Sequence, residues 1–372
     1  MKKILFVATV VKAHIMVFHT PFLKWFKENG YETYVCAKND YENKGDCVIP
    51  YCDNYFDLPF ERSPIKKSNF KTYQQLKQII DSNEFDIIHC HTPMGGVLAR
   101  LAAHNSRTNN ATIIYTAHGF HFYKGAPIAN WLLYYPVERW LARFTDVIIT
   151  INKEDYSIAQ NFKAKRIEYV PGVGIDTHKF SEIQVNYMEK RNEIGIPRDS
   201  TIILSVGELN KNKNHETIIR AIARLDNPDI YYVICGEGLL QNHLKKLVKG
   251  LGLEDQVKLL GYRTDIVEIS KVSDIFAFPS FREGLSLSLM EAMCSGLPVV
   301  CSKIRGNNDL IQDGIGGYLL EPNNVEGFSN AIKQLVQNHS QREVMSVHNK
   351  RVILEFDINN VIEDSVRIYL EV

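Results

Sequence analysis

The fold of this chain is decided by Phe278-Pro-Ser-Phe-Arg-Glu283-Gly-Leu-Ser-Leu-Ser-Leu-Met-Glu291-Ala-Met-Cys-Ser-Gly-Leu-Pro298. The apolar run Asp274–Phe278 that leads into it is typical of a buried parallel strand. Residues Ser286–Ser295 are mostly helix formers, and the Gly-Leu-Pro sequence after them is a helix stop signal. The pattern therefore predicts a strand, a turn that contains Glu283, and a helix that carries Glu291.

The start of this helix predicts an anion site. Backbone N–H groups near Leu285 to Ser288 point out of a helix N-terminus, which suits a phosphate. Two carboxylates accompany it, and a carboxylate accepts hydrogen bonds from vicinal hydroxyls. A nucleotide-sugar offers both a diphosphate and such hydroxyls. On spacing alone, an ordinary βα unit with solvated acidic side chains explains the segment equally well.

The segment resembles the Glu, seven residues, Glu signature of the family-4 retaining glycosyltransferases, which have the GT-B fold. The resemblance continues through the apolar strand Leu297–Cys301 and through Asp313-Gly-Ile-Gly-Gly-Tyr-Leu319. It implies that Glu291 holds the ribose hydroxyls of the donor and that Glu283 contacts the donor sugar. The backbone amides implied to hold sugar and phosphate belong to Gly284, Leu285, Ser286 and Leu287.

The whole chain is expected to form two domains of one class. A length of 372 residues favours two domains, and strand-like runs alternate with helical stretches in both halves, which indicates doubly wound parallel sheets. The predicted strands are Ile4–Val10, Thr33–Ala37, Asp86–His91, Thr112–Thr116, Asp146–Thr150, Ile202–Val206, Tyr231–Cys235, Val257–Leu260, Asp274–Phe278 and Val299–Cys301. With the resemblance, this predicts an α/β GT-B fold, two Rossmann-like doubly wound domains facing across a cleft. We expect residues 1–172 to bind the acceptor, residues 173–356 to bind the donor, and a terminal helix at about 357–372 to cross back to the first domain.

Composition argues against several classes of function. The net charge is zero, so wholesale nucleic-acid binding is not expected. No stretch approaches the ~20 apolar residues of a spanning helix, and the first apolar run has no signal-peptide cleavage site. The seven cysteines have no paired spacing, which indicates reduced cytosolic thiols. Residues 1–172 carry 21 Lys and Arg against 16 Asp and Glu, and this positive balance suits an anionic surface.

Histidines follow several strands of the first domain. His118 matches the histidine that family members place against the donor sugar, so the resemblance implies a catalytic role for it. His121 and His14 are expected on the acceptor side, although the loop with His14 lacks the Gly-Gly turn common in the family. His89 and His91 lie on one side of a strand end, where a metal ion would need further ligands that the sequence does not reveal.

The stretch from Val206 to His215 resembles the phosphate-clamping loop of the family. Lys213 stands where the diphosphate-binding lysine falls and is expected to be catalytic. The arginine that commonly follows the glycine is replaced by Glu208, so Lys211, Arg263 or Arg305 would have to supply the missing charge. Gly236 ends a strand and is expected to frame the base; a solvated basic loop is the alternative interpretation of the stretch.

The resemblance implies a hexosyltransferase that retains the anomeric configuration of its donor. It would move a hexose or N-acetylhexosamine from a nucleotide-sugar, with UDP as the expected nucleotide, to a growing surface polysaccharide linked to polyprenyl diphosphate. Departures from the family pattern are similar to those of members that serve capsule and exopolysaccharide synthesis. There is no Asp-x-Asp motif and GT-B enzymes rarely need a metal, so we expect neither metal nor cofactor. A non-catalytic nucleotide-sugar-binding scaffold and a UDP-sugar epimerase of the same fold are the alternatives.

A lipid-linked acceptor predicts a peripheral protein on the cytoplasmic face of the cell membrane. The cations expected to face the anionic lipid headgroups are Lys24, Lys27, Arg62, Lys66, Lys67 and Lys71. The aromatic stretch Trp131–Trp140 has two interpretations, core packing or a lipid surface on the acceptor side.

Overall fold

The computed structural model describes residues 1–104 and 111–371. The chain forms two compact units. The first contains Met1–Val173 and the C-terminal segment that begins at Val361, and the second contains Gly174–Asn360. Each unit is built on one parallel sheet with helices on both faces, which is the doubly wound α/β architecture of the GT-B fold.

The first unit holds a seven-stranded parallel sheet in the order β3-β2-β1-β4-β5-β6-β7. Its strands are β1 (Lys3–Val10), β2 (Glu32–Lys38), β3 (Asn54–Asp57), β4 (Ile87–His91), β5 (Thr112–Ala117), β6 (Val147–Thr150) and β7 (Arg166–Tyr169). Its helices are α1 (Thr20–Glu28), α2 (Ser68–Asn83), α3 (Pro93–Ala103), α4 (Ile128–Leu141) and α5 (Lys153–Ala159), joined by most of the last helix of the chain.

Two apolar layers cover this sheet. Helices α2, α3 and α4 pack on one face, where their side chains join a core with Leu5, Ile88 and Tyr115. The other face is covered by α1 and by the C-terminal part of α15, the last helix of the chain, which buries Ile368 and Tyr369 there. Strands buried on both faces need near-continuous apolar sequence, and this pattern predicted the five central strands β1, β2, β4, β5 and β6. The edge strands β3 and β7 are less buried and are not among the predicted strands.

The segment after β1 differs from the prediction. The sequence indicated a loop around His14, whereas Val11–His19 is a π-helix that continues directly into α1. A π-helix hydrogen-bonds residue i to residue i+5, so it holds side chains five apart on one side. The apolar pattern of the segment suits a buried helix but does not specify which helical period it adopts, so the prediction missed the wider turn.

The second unit holds a six-stranded parallel sheet in the order β10-β9-β8-β11-β12-β13. Its strands are β8 (Thr201–Val206), β9 (Ile230–Cys235), β10 (Val257–Gly261), β11 (Ile275–Phe278), β12 (Val299–Ser302) and β13 (Gly317–Leu320). Its helices are α6 (Thr177–Glu182), α7 (Tyr187–Glu193), α8 (His215–Leu225), α9 (Gln241–Gly250), α10 (Ile266–Lys271), α11 (Leu287–Cys294), α12 (Asn307–Leu310), α13 (Val325–Gln337), α14 (His339–Val352) and α15 (Ile358–Leu370), whose first residues belong to this unit.

The segment that decides the fold forms the strand, turn and helix predicted for it. Strand β11 ends at Phe278, and α11 begins at Leu287 after Ser286, whose side chain accepts a hydrogen bond from the N–H of Leu289. The helix ends before Gly296, which has φ of +78° and thus the left-handed conformation that favours glycine.

Within the part of the chain that the structure describes, no helix combines the length and the apolar composition needed to span a bilayer. All seven cysteines lie in that part, and each is a free thiol.

Candidate active site

The strand order of the second unit places two loops side by side. Strands β8 and β11 are neighbours in the sheet. From β8 the chain continues to β9 on one side, and from β11 it continues to β12 on the other side. The carboxyl ends of β8 and β11 therefore form a topological switch point, where ligands bind in such folds. Residues 207–214 follow β8 and are named here the Lys213 loop. Residues 279–286 follow β11 and are named the Glu283 turn.

Direct hydrogen bonds join the Lys213 loop to the Glu283 turn. The N–H of Phe281 donates to the carbonyl of Asn212 at 2.8 Å, and the side-chain amide of Asn212 donates to the carbonyl of Arg282 at 2.9 Å. The amide of Asn214 donates to the carbonyl of Pro279 at 3.0 Å. These bonds fix the two loops as one platform.

Lys213 and Glu283 meet on this platform. The Nζ of Lys213 lies 2.7 Å from Oε1 of Glu283, and the two side chains are only 18% and 13% exposed. The ammonium group also lies 4.7 Å from the ring centroid of Phe278, the last residue of β11. A partly desolvated ion pair is stronger than one in water, so each charge holds the other in place.

Backbone N–H groups next to this pair are of the kind that binds an anion. The first N–H groups of a helix have no partner inside the helix, and at α11 these belong to Leu287 and Ser288, directly after the Glu283 turn. The turn is supported from the loop after β12. Arg305 donates from Nε to the carbonyl of Glu283 at 3.0 Å, and a Cβ at Gly306 would lie 2.1 Å from the carbonyl oxygen of Gly284.

Glu291 lies on α11, about one helical turn after its first residue, Leu287. Burial raises the pKa of its carboxyl group to about 7, and the positive charge of Lys179 on α6 opposes that rise. The carboxyl group of the free protein therefore holds its proton more tightly than an exposed glutamate does, and hydrogen-bond donors that favour the charged form would shift it toward the carboxylate.

The other predicted donor-binding residues of the second unit have different surroundings. Gly236 directly follows β9, and a Cβ there would lie 2.0 Å from the carbonyl oxygen of Gly207, so it allows the start of the Lys213 loop to pack closely. Lys211 is exposed on the same loop. Arg263 donates from Nε to Asp265 at 2.8 Å and is paired with Glu193 as well, so its charge is already compensated. Glu208, at the position of the clamp arginine, is exposed.

The first unit gathers histidines at its own switch point, where β1 and β4 are neighbours. The predicted residues His14 and His118 lie there with ring centroids 4.7 Å apart. They are joined by His19, from the π-helix, and by His91, at the end of β4. His14, His19, His91 and His118 are named here the histidine cluster.

His121, the other histidine expected on the acceptor side, packs against α4. Its ring centroid lies 4.7 Å from that of Tyr134, and its carbonyl accepts a hydrogen bond from Asn130 at 2.8 Å. His89, which the sequence paired with His91, has both ring nitrogens in hydrogen bonds, to Thr116 Oγ1 and to the hydroxyl of Tyr369, each at 2.7 Å.

His19 was not among the residues predicted from the sequence. The spacing of five residues between His14 and His19 fits one face of a π-helix, but it places the two side chains on different faces of an α-helix. A helix after β1 with histidines five apart is the signal that could have revealed the pair.

Comparisons with known proteins agree with this geometry. Residues 186–352 match the family described as glycosyl transferases group 1, and residues 3–152 match the family described as glycosyl transferase 4-like. Among solved structures, Anabaena HepE in complex with UDP and glucose superposes with a TM-score of 0.82 over the whole of both chains at 20% identity, a likeness in fold.

Curated relatives cover most of the chain. The putative glycosyltransferase EpsD of Bacillus subtilis is 39% identical over 373 residues, which span 99% of this chain and 96% of that protein. The UDP-Gal:alpha-D-GlcNAc-diphosphoundecaprenol alpha-1,3-galactosyltransferase of Escherichia coli is 29% identical over 82% of this chain and 80% of its own length. The chain is thus a glycosyltransferase, and it belongs to family 4 with the GT-B fold, in the group related to exopolysaccharide synthesis.

Proposed function

We propose that this glycosyltransferase moves a hexose or N-acetylhexosamine from a UDP-sugar to a sugar linked to polyprenyl diphosphate, with retention of the anomeric configuration. The observation that carries the proposal is the ion pair of Lys213 and Glu283 at the switch point of the second unit, with Glu291 on the helix that follows. The E. coli relative supports the substrate classes, since its name specifies a UDP-sugar donor and an undecaprenyl diphosphate acceptor.

The donor is held by three kinds of group in this proposal. The carboxylate of Glu291 accepts hydrogen bonds from the ribose hydroxyls. The free N–H groups at the start of α11 and the ammonium group of Lys213 bind the diphosphate, with Gly284, Leu285 and Ser286 shaping the approach. Glu283 accepts from hydroxyls of the sugar. As the glycosidic bond to the diphosphate breaks, negative charge grows on the leaving group, and these donors stabilise it.

Donor binding changes the partner of Lys213. In the free protein its charge is held by Glu283 at 2.7 Å. A diphosphate attracts the ammonium group more strongly than a single carboxylate does, so binding draws Lys213 toward the phosphates and frees Glu283 to accept from the sugar. Lys211, exposed on the same loop, is our candidate for the second cation. Arg263 is a weaker candidate because Asp265 and Glu193 already pair with it.

The histidines of the first unit serve the sugar and the acceptor in this proposal. His118 follows β5 and is half-buried, which leaves part of its ring accessible to the donor sugar. His14, beside it, and His121, on the loop that packs against α4, are proposed to contact the acceptor. No metal is needed for the transfer itself, because Lys213 and the N–H groups of α11 balance the charge of the leaving diphosphate.

A lipid-linked acceptor requires the first unit to reach a membrane, and two of its surfaces suit that task. The segment before α2 and the first turn of α2 expose Arg62, Lys66, Lys67 and Lys71 together with the apolar side chains of Ile65 and Phe70, of which Ile65 is 90% exposed. Helix α4 buries Trp131, Tyr134 and Tyr135 against the core and exposes Ile128, Leu132, Leu133 and Trp140. We propose that the protein binds peripherally to the cytoplasmic face of the cell membrane through these surfaces.

Both membrane surfaces begin at one edge of the sheet. In a doubly wound fold each crossover helix starts near the carboxyl end of the strand before it, so the N-termini of α2 and α4 lie at the edge that carries the histidine cluster. Lys27 is less suited to contact lipid than the sequence implied, since it pairs with Asp53, and Lys24 lies 3.8 Å from Glu28. This concentrates the expected lipid contact on residues 62–71 and α4.

The test is transfer by the purified protein in detergent micelles. A panel of UDP-, GDP- and ADP-sugars is supplied with a synthetic polyprenyl diphosphate N-acetylhexosamine, and both nucleotide release and the anomeric configuration of the product are measured. We expect that UDP is released from a UDP-sugar only when the acceptor is present. An axial bond at the anomeric carbon of the donor should give an axial bond at the same carbon of the product. Glu283→Ala and Lys213→Ala should abolish it, whereas Lys246→Ala, an exposed lysine on α9, should not.

Other outcomes would support the alternative functions. Nucleotide binding without release from any donor would indicate a scaffold. Interconversion of UDP-sugars without acceptor would indicate an epimerase. An inverted product would contradict the retaining mechanism while leaving the transferase activity in place.

A further inference from the structure

The histidine cluster brings four imidazoles from three separate segments to one point of the first unit. His14 and His19 come from the π-helix after β1, His91 ends β4, and His118 follows β5. One ring nitrogen from each of the four lies within 4.8 Å of the others. Three strand ends and a rare helical turn converge to build this arrangement, and π-helical turns occur frequently at functional sites.

The ring nitrogens of the cluster are poorly satisfied by the protein. Nε2 of His14, both ring nitrogens of His19 and Nε2 of His91 are buried without a hydrogen-bond partner among the described residues. Buried polar atoms are normally paired, because an unpaired one loses its bonds to water without compensation. The nearby His89 is satisfied in the usual way, because its two ring nitrogens form hydrogen bonds with Thr116 and Tyr369. The cluster is therefore different from histidines packed in a core.

The four side chains have the chemistry of metal ligands. His14, His19 and His91 are buried, and His118 is half-buried. A neutral imidazole binds first-row transition metals through its unprotonated nitrogen. The candidate ligand group contains no carboxylate among the described residues, so the histidines cannot be explained as partners of an acidic side chain.

We propose that His14, His19, His91 and His118 bind one divalent transition-metal ion, for which Zn²⁺ is the first candidate. A tetrahedral Zn²⁺ site with bonds of about 2.0–2.1 Å spaces its nitrogens about 3.3–3.4 Å apart. Nε2 of His118 and Nδ1 of His91 already lie 3.4 Å apart, which is long for a hydrogen bond and right for two ligands of one ion. All four ligand nitrogens lie within 4.8 Å of one another, so a bound ion would have to draw the wider pairs closer together.

The site has room for an ion. A cavity of about 20 Å³ borders three of the four histidines, His19, His91 and His118, together with Phe22 and Tyr369, but not His14. This volume is enough for one small ion or one water molecule. An ion with four neutral ligands keeps its full positive charge at the edge of the sheet where ligands bind in such folds. His118 would ligate through Nε2, and its Nδ1, on the half-buried side chain, stays available to a sugar hydroxyl, so the site is compatible with the role proposed above for His118.

The test is metal binding by the whole chain, made without a polyhistidine tag and stripped with a chelator. Co²⁺ is titrated in, and its visible absorption reports the coordination geometry. We expect one Co²⁺ per chain with the intense bands of four nitrogen ligands, and its displacement by Zn²⁺. His14→Ala and His91→Ala should each weaken binding by at least about 100-fold, because loss of a ligand exceeds the 10–100-fold effect of losing an outer-shell partner.

Controls separate this result from unfolding and from anion binding. His339→Ala removes an exposed histidine on α14 and should leave the affinity unchanged. His118→Ala removes the half-buried ligand, is expected to fold, and should also weaken binding. Equal affinity of the wild type and the His14→Ala chain would overturn the proposal, as would a wild type with no stoichiometric Co²⁺. Tight pyrophosphate binding by the stripped chain, with proton uptake and no affinity for metal, would assign the cluster to an anion instead.

Discussion

The ammonium group of Lys213 lies 2.7 Å from the carboxylate of Glu283, although the two residues stand 70 positions apart and follow different strands. The adjacency of β8 and β11 produces this contact, and the hydrogen bonds between their loops fix it. In the donor-free chain, a cation suited to a diphosphate and an acid suited to a sugar therefore neutralise each other. In the proposed binding mode, the donor separates them.

This competition predicts opposite effects of the two residues on nucleotide affinity. Lys213→Ala removes a charged donor to the diphosphate and should weaken UDP binding by about 1.5–3 kcal/mol, roughly 10–150-fold. Glu283→Gln removes the internal competitor for Lys213 and should leave UDP binding unchanged or tighter. The same Glu283→Gln change should lower turnover by about 10²–10³-fold, since it removes a group that acts on the sugar. Calorimetry with UDP and steady-state kinetics give the two quantities.

The double variant provides the control for this prediction. If the two residues act as one unit in catalysis, the Lys213→Ala/Glu283→Gln chain should turn over no more slowly than the worse single variant. A similar loss of UDP affinity in both single variants would contradict the competition between Glu283 and the diphosphate.

Glu291 makes donor binding dependent on pH. Burial raises the pKa of its carboxyl group to about 7 in the free protein, so a substantial fraction is protonated at neutral pH. In the proposed binding mode the ribose hydroxyls donate to this carboxylate and favour its charged form, so we expect binding to lower the pKa and to release a proton. UDP affinity should therefore rise as the pH increases from 6 to 8 and then level off. Calorimetry in buffers of different ionisation enthalpy measures the released proton directly.

Glu291→Gln is the matched control. It cannot ionise, so its UDP affinity should be lower and should lack both the pH dependence and the proton release assigned to Glu291. The same linkage acts on stability with the opposite sign. The raised pKa means that the folded chain holds a proton between about pH 4.5 and 7 that the unfolded chain has lost, so this group's contribution to stability falls as the pH rises through that range. Proton release that persists in Glu291→Gln would assign it to another group.

The parts of the site that could be predicted from sequence are those built from one continuous segment. The Glu283 turn and α11 follow from a local apolar run, turn residues and a stop signal within about 25 residues. The histidine cluster depends on three segments and on a π-helix whose period the apolar pattern does not specify. The ion pair of Arg263 with Glu193 joins residues 70 positions apart, and it could not be predicted from the sequence either. Helix α4 left two interpretations open, and the structure has core-packed aromatic side chains on one face and exposed apolar side chains on the other.

A buried ion pair in the first unit predicts a large effect on stability. Arg100 on α3 is fully buried, its Nη2 donates to Glu138 of α4 at 2.7 Å, and its guanidinium carbon lies 3.9 Å from the ring centroid of Tyr115. Glu138→Leu leaves the arginine charge unpaired and should lower the free energy of unfolding by about 3–5 kcal/mol. Replacing both residues, as Arg100→Met/Glu138→Leu, should recover most of that loss.

Chemical denaturation with hydrogen exchange measures this effect in the unit concerned. The urea midpoint gives the change, and exchange of the β5 amides identifies the transition of the first unit, since a two-unit chain need not unfold in one step. Glu42→Leu, an exposed acid in the same unit, should shift stability by no more than about 0.5 kcal/mol. A double variant as unstable as Glu138→Leu alone would show that the pair matters for more than its charges.

The two membrane surfaces of the first unit should respond differently to salt. Each cation near an anionic bilayer contributes about 1 kcal/mol, and the contribution fades within a Debye length. Lys66→Gln/Lys67→Gln/Lys71→Gln should therefore weaken binding to anionic vesicles by up to about 3 kcal/mol, roughly 100-fold, at low salt and much less at high salt. Leu132→Ser/Leu133→Ser removes apolar side chains from the exposed face of α4, one of them 71% exposed, and should weaken binding at both salt concentrations.

The matched controls lie in the second unit. They are Lys245→Gln/Lys246→Gln/Lys249→Gln on α9 and Leu239→Ser, and both should bind as the wild type does. Co-sedimentation with vesicles measures all of these. Failure of the wild type to bind vesicles at either salt concentration would contradict the membrane proposal and point to a soluble acceptor.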